Sequence, residues 1–257
     1  MMFSACNPQR GQSPDQLPTQ ADINALATAL PLTQNAPPPP FNGDVTRFAQ
    51  IDAGLTELSG WRWVVQVEFN GVFTGTPRET SASARIEASY NQLANARRII
   101  LSTSGELLGQ DDVSYEAVRL GTDAFLLRDG VCLSNAGRDA ETAANLTAGE
   151  LIGGTVSTFP AGERARVNDE DVFRYTLNLE SLNLPAIRPS DGVAAQLNAS
   201  EFWISPERRA VVRYYLNLYI ENALIFDRQL PVSGELLLRY DLYDIGTDFN
   251  ISIPYGC

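Results

Sequence analysis

The strongest constraint on the fold lies near the C-terminal end of the chain. Val212, Tyr214, Leu216, Leu218 and Ile220 are all apolar, and Arg213, Tyr215, Asn217, Tyr219 and Glu221 fill the positions between them. Successive strand side chains point to opposite faces, so this period of two describes a long strand with one dry face. Leu236, Leu238, Tyr240 and Leu242 repeat the pattern against Leu237, Arg239, Asp241 and Tyr243. Upstream, residues 202–205 read as a short strand, and Ser205-Pro206-Glu207-Arg208 as a turn with proline at its second position. Three neighbouring strands with matched dry faces form an antiparallel meander. Its concave side needs apolar contents, supplied either by the protein or by a ligand.

The same grammar runs through the rest of the chain. Trp61, Trp63, Val65, Val67 and Phe69 alternate with Arg62, Val64, Gln66 and Glu68, and Asn70-Gly71 predicts a hairpin turn. Ala82 to Tyr90 alternate in turn, and further strands are expected over 97–103, 113–120 and 123–127, the last turning at Asp129-Gly130. Sheet returns over 163–167, followed by an acidic turn Asn168-Asp169-Glu170-Asp171 and a face of Phe173, Tyr175, Leu177 and Leu179. Helices are expected over 45–58, from an Asp44 cap to Gly60, over the Ala-rich stretch 139–152, and briefly over 190–197. Strand follows strand without alternating crossover helices. The reading is therefore α+β: a curved antiparallel half-barrel sheet of about ten or more strands, with short helices covering its concave face.

Composition removes several functions. The net charge of −12 argues against nucleic acid, which needs a basic surface, and against a polybasic membrane contact. There is no histidine, hence no usual general base or metal ligand. Neither a G-x-S-x-G elbow, a phosphate-binding G-x-x-x-x-G-K-[ST] loop nor a C-x-x-C pair occurs. Asp111-Asp112 and Asp241/Asp244 read as solvated loop and strand-end charges, and no metal, cofactor or catalytic residue is expected.

Phe3-Ser4-Ala5-Cys6 looks like the end of a bacterial lipoprotein signal (residues 1–6), in which small residues precede a cysteine that becomes diacylated. Phe3 stands where leucine is usual, and the basic and apolar stretches of such a signal do not precede it. Residues 7–42, with Pro37-Pro38-Pro39-Pro40, read as an extended tether carrying a possible short helix over 22–30. The folded domain is then expected over 43–257.

The chain resembles a known family through its structural phrases. These are an extracytoplasmic cysteine, a spacer, an amphipathic helix and an aromatic strand, then Gly162-Glu163-Arg164-Ala165-Arg166-Val167-Asn168 leading to Phe173-Arg174-Tyr175. Glu201-Phe202-Trp203-Ile204 with Val211-Val212-Arg213-Tyr214 follows, and Tyr240-Asp241-Leu242-Tyr243-Asp244-Ile245 to Ile253-Pro254-Tyr255-Gly256-Cys257 closes the series. Together they resemble the LppX/LprG-type envelope lipoproteins, on the fold of the lipoprotein carriers LolA and LolB. The resemblance implies a half-barrel whose helix-lidded cavity holds acyl chains. It fixes no short list of functional residues.

With Cys6 acylated, Cys132 and Cys257 are left. In an oxidising envelope they would pair, closing a loop of roughly 125 residues worth about 4–5 kcal/mol; the alternative is two unrelated thiols. Trp61, Trp63, Phe173, Tyr175, Tyr214, Leu216, Leu218, Leu238 and Tyr240 are the candidates for lining a lipid cavity, or else for an ordinary core. The small residues of 139–154 favour space beneath the helices. A single buried C16 chain would gain on the order of 10 kcal/mol before ordering costs, at about 0.8 kcal/mol per methylene. The expectation is an envelope lipoprotein that binds or transports lipid or lipoprotein acyl chains, held at a membrane through Cys6, with an envelope transporter or acceptor as a possible partner. The competing expectation is a membrane-tethered sensor or interaction module with a closed core.

Overall fold

The computed structural model describes residues 48–105, 112–133, 137–226 and 228–257. Cys6, the tether and the possible helix over 22–30 lie outside them, as does Asp111. Among the described residues there are thirteen strands: β1 (Gly60–Phe73), β2 (Glu79–Asn91), β3 (Ala96–Ser104), β4 (Ser114–Leu120), β5 (Asp123–Arg128), β6 (Val131–Cys132), β7 (Gly154–Thr155), β8 (Phe159–Val167), β9 (Glu170–Thr176), β10 (Leu182–Asn183), β11 (Ile187–Ser205), β12 (Ala210–Ile225) and β13 (Val232–Tyr243). Two short helices, α1 (Gly137–Ala144) and α2 (Ala148–Ile152), divide the two runs of strands, where the Ala-rich stretch placed them.

Eleven strands make one open sheet in the order β6-β5-β4-β3-β2-β1-β13-β12-β11-β9-β8, and β7 pairs with β10 apart from it. Every neighbouring pair in the large sheet is antiparallel. The N-terminal meander β1–β6 and the C-terminal run meet where the first strand pairs with the last, Val65 opposite Tyr240 and Val67 opposite Leu238. The result is a curved α+β half-barrel with β6 and β8 as its edges.

The inner face collects the apolar rows. Trp63, Val65, Val67 and Phe69 of β1, Tyr214, Leu216, Leu218 and Ile220 of β12, and Leu236, Leu238, Tyr240 and Leu242 of β13 interlock as one buried cluster. The outer face takes the polar alternates. Asp241 departs from the expectation of a solvated charge: only 3% exposed, it lies between Arg213 Nε at 2.7 Å and Arg239 Nε at 2.6 Å, with Asn168 Nδ2 at 3.2 Å. Its register opposite Arg213 puts it there. Asp244 meets Arg62 Nε at 2.8 Å nearer the surface, and Asp112 accepts from the Gly105 amide in a loop.

Four local expectations fail, the first three each for a physical reason. The part of the expected helix over 45–58 that is described is a string of turns ending in a 3-10 turn, Leu55–Glu57. Asp52 spends both carboxylate oxygens on the Ala148 and Gly149 amides at 2.8 and 3.0 Å, capping α2, and Gly54 takes φ +84°. The helix expected over 190–197 is instead part of β11, because the edge of β12 offers it backbone donors and acceptors: the two strands pair from Ile187 to Pro189 and again from Ala194, with a register shift between. Finally, Asn70-Gly71 runs straight through β1 and the chain turns between Phe73 and Arg78. Gly71 faces Gly234 across the β1–β13 ladder, where a Cβ on Gly71 would fall 2.2 Å from the Ser233 carbonyl oxygen. That glycine serves close strand approach. The strand containing Phe173 and Tyr175 also stops at Thr176, with Leu179 in a 3-10 turn beyond it.

Candidate functional site

Cys132 and Cys257 form a disulfide with their Cα atoms 5.2 Å apart. The C-terminal tail leaves β13, donates from the Gly246 amide to the Gly60 carbonyl, and accepts from Asn91 Nδ2 at the Phe249 carbonyl, 2.8 Å away. It then reaches edge strand β6. The bond thus ties a tail from the centre of the sheet to its outer strand.

All nine residues proposed for a cavity face inward. Trp63, Tyr214, Leu216, Leu218, Leu238 and Tyr240 have no exposed surface, and Trp61, Phe173 and Tyr175 have at most 6%. The centre is aromatic as well as aliphatic. Phe48 packs edge-on to Phe202, Phe202 edge-on to Tyr214, and the Trp63 and Tyr240 rings lie 6.4 Å apart. Tyr214 stands directly opposite Tyr240 on the β12–β13 ladder. The hydroxyls of both, and Trp63 Nε1, have no hydrogen-bond partner among the described residues. Burial drives both phenols well above their ordinary ionisation, so they stay neutral donors. An unpaired buried hydroxyl costs about 1–3 kcal/mol, so this centre carries polar groups that its own fold does not use.

A recess opens elsewhere on the same face. Helix α1 packs on β3, β4 and β5 through Ala140 and Ala144. Beside that contact Val113, Tyr115, Leu126, Leu133, Ala143 and Leu146 wall a space of about 410 Å³, rimmed by Arg128, Asp139 and Thr142. Ligand sites are commonly about 300–1,000 Å³ and mostly apolar. Burial pushes the Tyr115 phenol up to about 12, keeping it a proton donor at the recess wall. None of these residues is among the nine selected from sequence. The readable signal was the run of small side chains in 139–152, with Thr142 and Ala143 leaving the gap. Beyond Leu146, Arg97 of β3 reaches in: it donates to the Leu146 carbonyl at 2.6 Å and lies over the Trp61 ring at 5.6 Å. Burial lowers the Arg97 guanidinium, against the carboxylates of Asp52 and Glu150, and Arg119 adds to the lowering.

Among the described residues no helix is long and apolar enough to cross a membrane, and no cluster of potential metal ligands occurs. No protein-family model matches the chain, and no curated protein matches it. Among solved structures it is similar to LprF from Mycobacterium bovis, at 11% identity and a TM-score of 0.36, over 86% of this chain and 99% of that one. It is also similar to a LolA-superfamily protein from Nitrosomonas europaea, at 9% identity and a TM-score of 0.26, over 81% and 92% of the two chains. A third likeness is to a DUF1329-family protein from Desulfovibrio piger, at 12% identity and a TM-score of 0.19, over 83% and 94%.

Proposed function

We propose that this protein is an extracytoplasmic lipoprotein, anchored through acylated Cys6, that holds an acyl chain on the concave face of its half-barrel without catalysing a reaction. The observation that carries the reading is the apolar recess beneath α1, about 410 Å³ and continuous with the inner face of an open sheet. Apolar walls and a few polar rim groups suit a hydrocarbon chain, whose burial needs no directed chemistry. A disulfide across a long loop suits an oxidising envelope. The signal-like Phe3-Ser4-Ala5-Cys6 and the Pro-rich composition of 7–42 support a lipid anchor followed by a spacer. Transfer of the chain to an envelope partner is part of the proposal.

A second reading has its own support. Six of the nine central positions have no exposed surface, as a filled core requires, and a tethered interaction module needs nothing more. Native mass spectrometry and organic extraction of purified protein separate the two readings. Acyl species that co-purify at about one per chain support the carrier, and protein repeatedly free of lipid supports the module. Cys6→Ser should abolish membrane association and leave acyl binding by the domain intact; membrane association that survives the substitution overturns the anchor.

A further inference from the structure

One row of the inner face carries charge. Trp61, Tyr90, Arg97 and Arg119 stand opposite one another in turn across β1, β2, β3 and β4. Two like charges directly opposed on an antiparallel pair are destabilising. Nine arginines, including Arg62, Arg98, Arg213 and Arg239, form salt bridges. Arg97 and Arg119 form none among the described residues. Both keep a buried Nε without a partner among the described residues. Carboxylates are plentiful in a chain of net charge −12, yet among the described residues none comes within ion-pair distance of either guanidinium. Asp52 and Glu150, whose charges Arg97 feels, are engaged elsewhere: Asp52 by the Ala148 and Gly149 amides, Glu150 by the Thr147 amide.

We propose that Arg97 and Arg119 form an oxyanion clamp at the rim of the concave face, taking the phosphate or carboxylate end of an amphiphile whose chain lies beneath α1. The inference rests on the lipid reading and adds the ligand's charge and orientation to it. Guanidinium groups present planar forks of N–H donors that match such oxygens, and a bound oxyanion would relieve the repulsion between them. Leu146 links the two parts of the site, since its carbonyl holds Arg97 and its side chain walls the recess. Arg119 lies four residues along β4 from Tyr115 in that wall, about 13 Å at the rise of a strand. Head and tail subsites so separated fit an extended amphiphile.

The test titrates delipidated full chain with dodecyl phosphate, dodecanol and inorganic phosphate, using wild type and Arg97→Gln/Arg119→Gln. Dodecyl phosphate is expected to bind wild type about tenfold or more tighter than dodecanol, the scale of a charge-assisted contact, and the double variant should abolish that preference without weakening dodecanol. Equal binding of both amphiphiles by wild type, or a preference that survives in the double variant, overturns the clamp and leaves the lipid reading standing. Arginine-dependent binding of inorganic phosphate with no binding of either amphiphile keeps the oxyanion site and removes the lipid reading. No binding of any probe ends both. Thermal unfolding checks that the variant is folded; if it is not, Arg119→Lys, which keeps charge but loses the fork, should lose most of the preference.

Discussion

The centre of the sheet and the wing beneath α1 are built from the same alternating strands, yet they differ in kind. At the centre, where β1, β13 and β12 pair, Leu216, Leu218, Leu236 and Leu238 have no exposed surface and the rows interlock. On the wing, small residues of α1 leave a recess against β4 and β5. An apolar row therefore marks which face is dry; whether that face has room depends on what lies over it. The centre is filled by its own side chains, and the wing keeps a recess.

The contrast can be broken at several points, the largest effect first. Reducing or removing the Cys132–Cys257 bond should cost about 4–5 kcal/mol by denaturant titration, since it closes a long loop of the unfolded chain. Loss of that order would show that the wing's edge depends on the tail; a negligible loss would mean the edge is independently stable. Leu216→Ala should cost about 3 kcal/mol in the packed centre, whereas Leu133→Ala, half-buried at the recess, should cost less than about 1 kcal/mol. Equal costs would erase the distinction between the regions.

Alkaline unfolding gives a third comparison. An ordinary phenol ionises near 10.0, and burial pushes Tyr115 on the wing and Tyr175 of β9, beside the opposite edge strand, up to about 12. The unfolded chain loses these protons first. The contribution is therefore full below pH 10, falls as pH rises, and is gone above about 12. Tyr115→Phe should flatten that decline by roughly 1 kcal/mol, allowing for solvent at a part-exposed ring. An unchanged slope would place its phenol in water. The smallest effect concerns the unpartnered hydroxyls: Tyr214→Phe and Tyr240→Phe should leave the lipid-free protein as stable as before, or up to about 1 kcal/mol more stable. A loss above that size in either would reveal a partner for the hydroxyl.

Much of the sheet was legible because a period of two survives any tertiary context, as in Val212 to Ile220. The pairing of the first strand with the last was not, since it depends on register between segments far apart in sequence. Asn70-Gly71 reads as a turn from local chemistry alone; its use opposite Gly234 appears only once β1 and β13 are side by side. Asp241 reads as exposed until Arg213 and Arg239 flank it. The opposition of Arg97 and Arg119, 22 positions apart, is likewise a product of register. For the recess, the Ala-rich helix was the right signal. The large side chains chosen with it were those that fill the centre.

The central claim is that the wing has room for a chain and the centre does not. Its most direct test is the amount of acyl species co-purifying with Ala143→Trp, compared with wild type and Leu216→Trp, by native mass spectrometry. Ala143→Trp should remain folded and lose the bound chain because the indole occupies the recess, while Leu216→Trp should first lose stability, about 1–3 kcal/mol or more. Wild type without acyl species, or Ala143→Trp retaining the wild-type amount, would contradict the account.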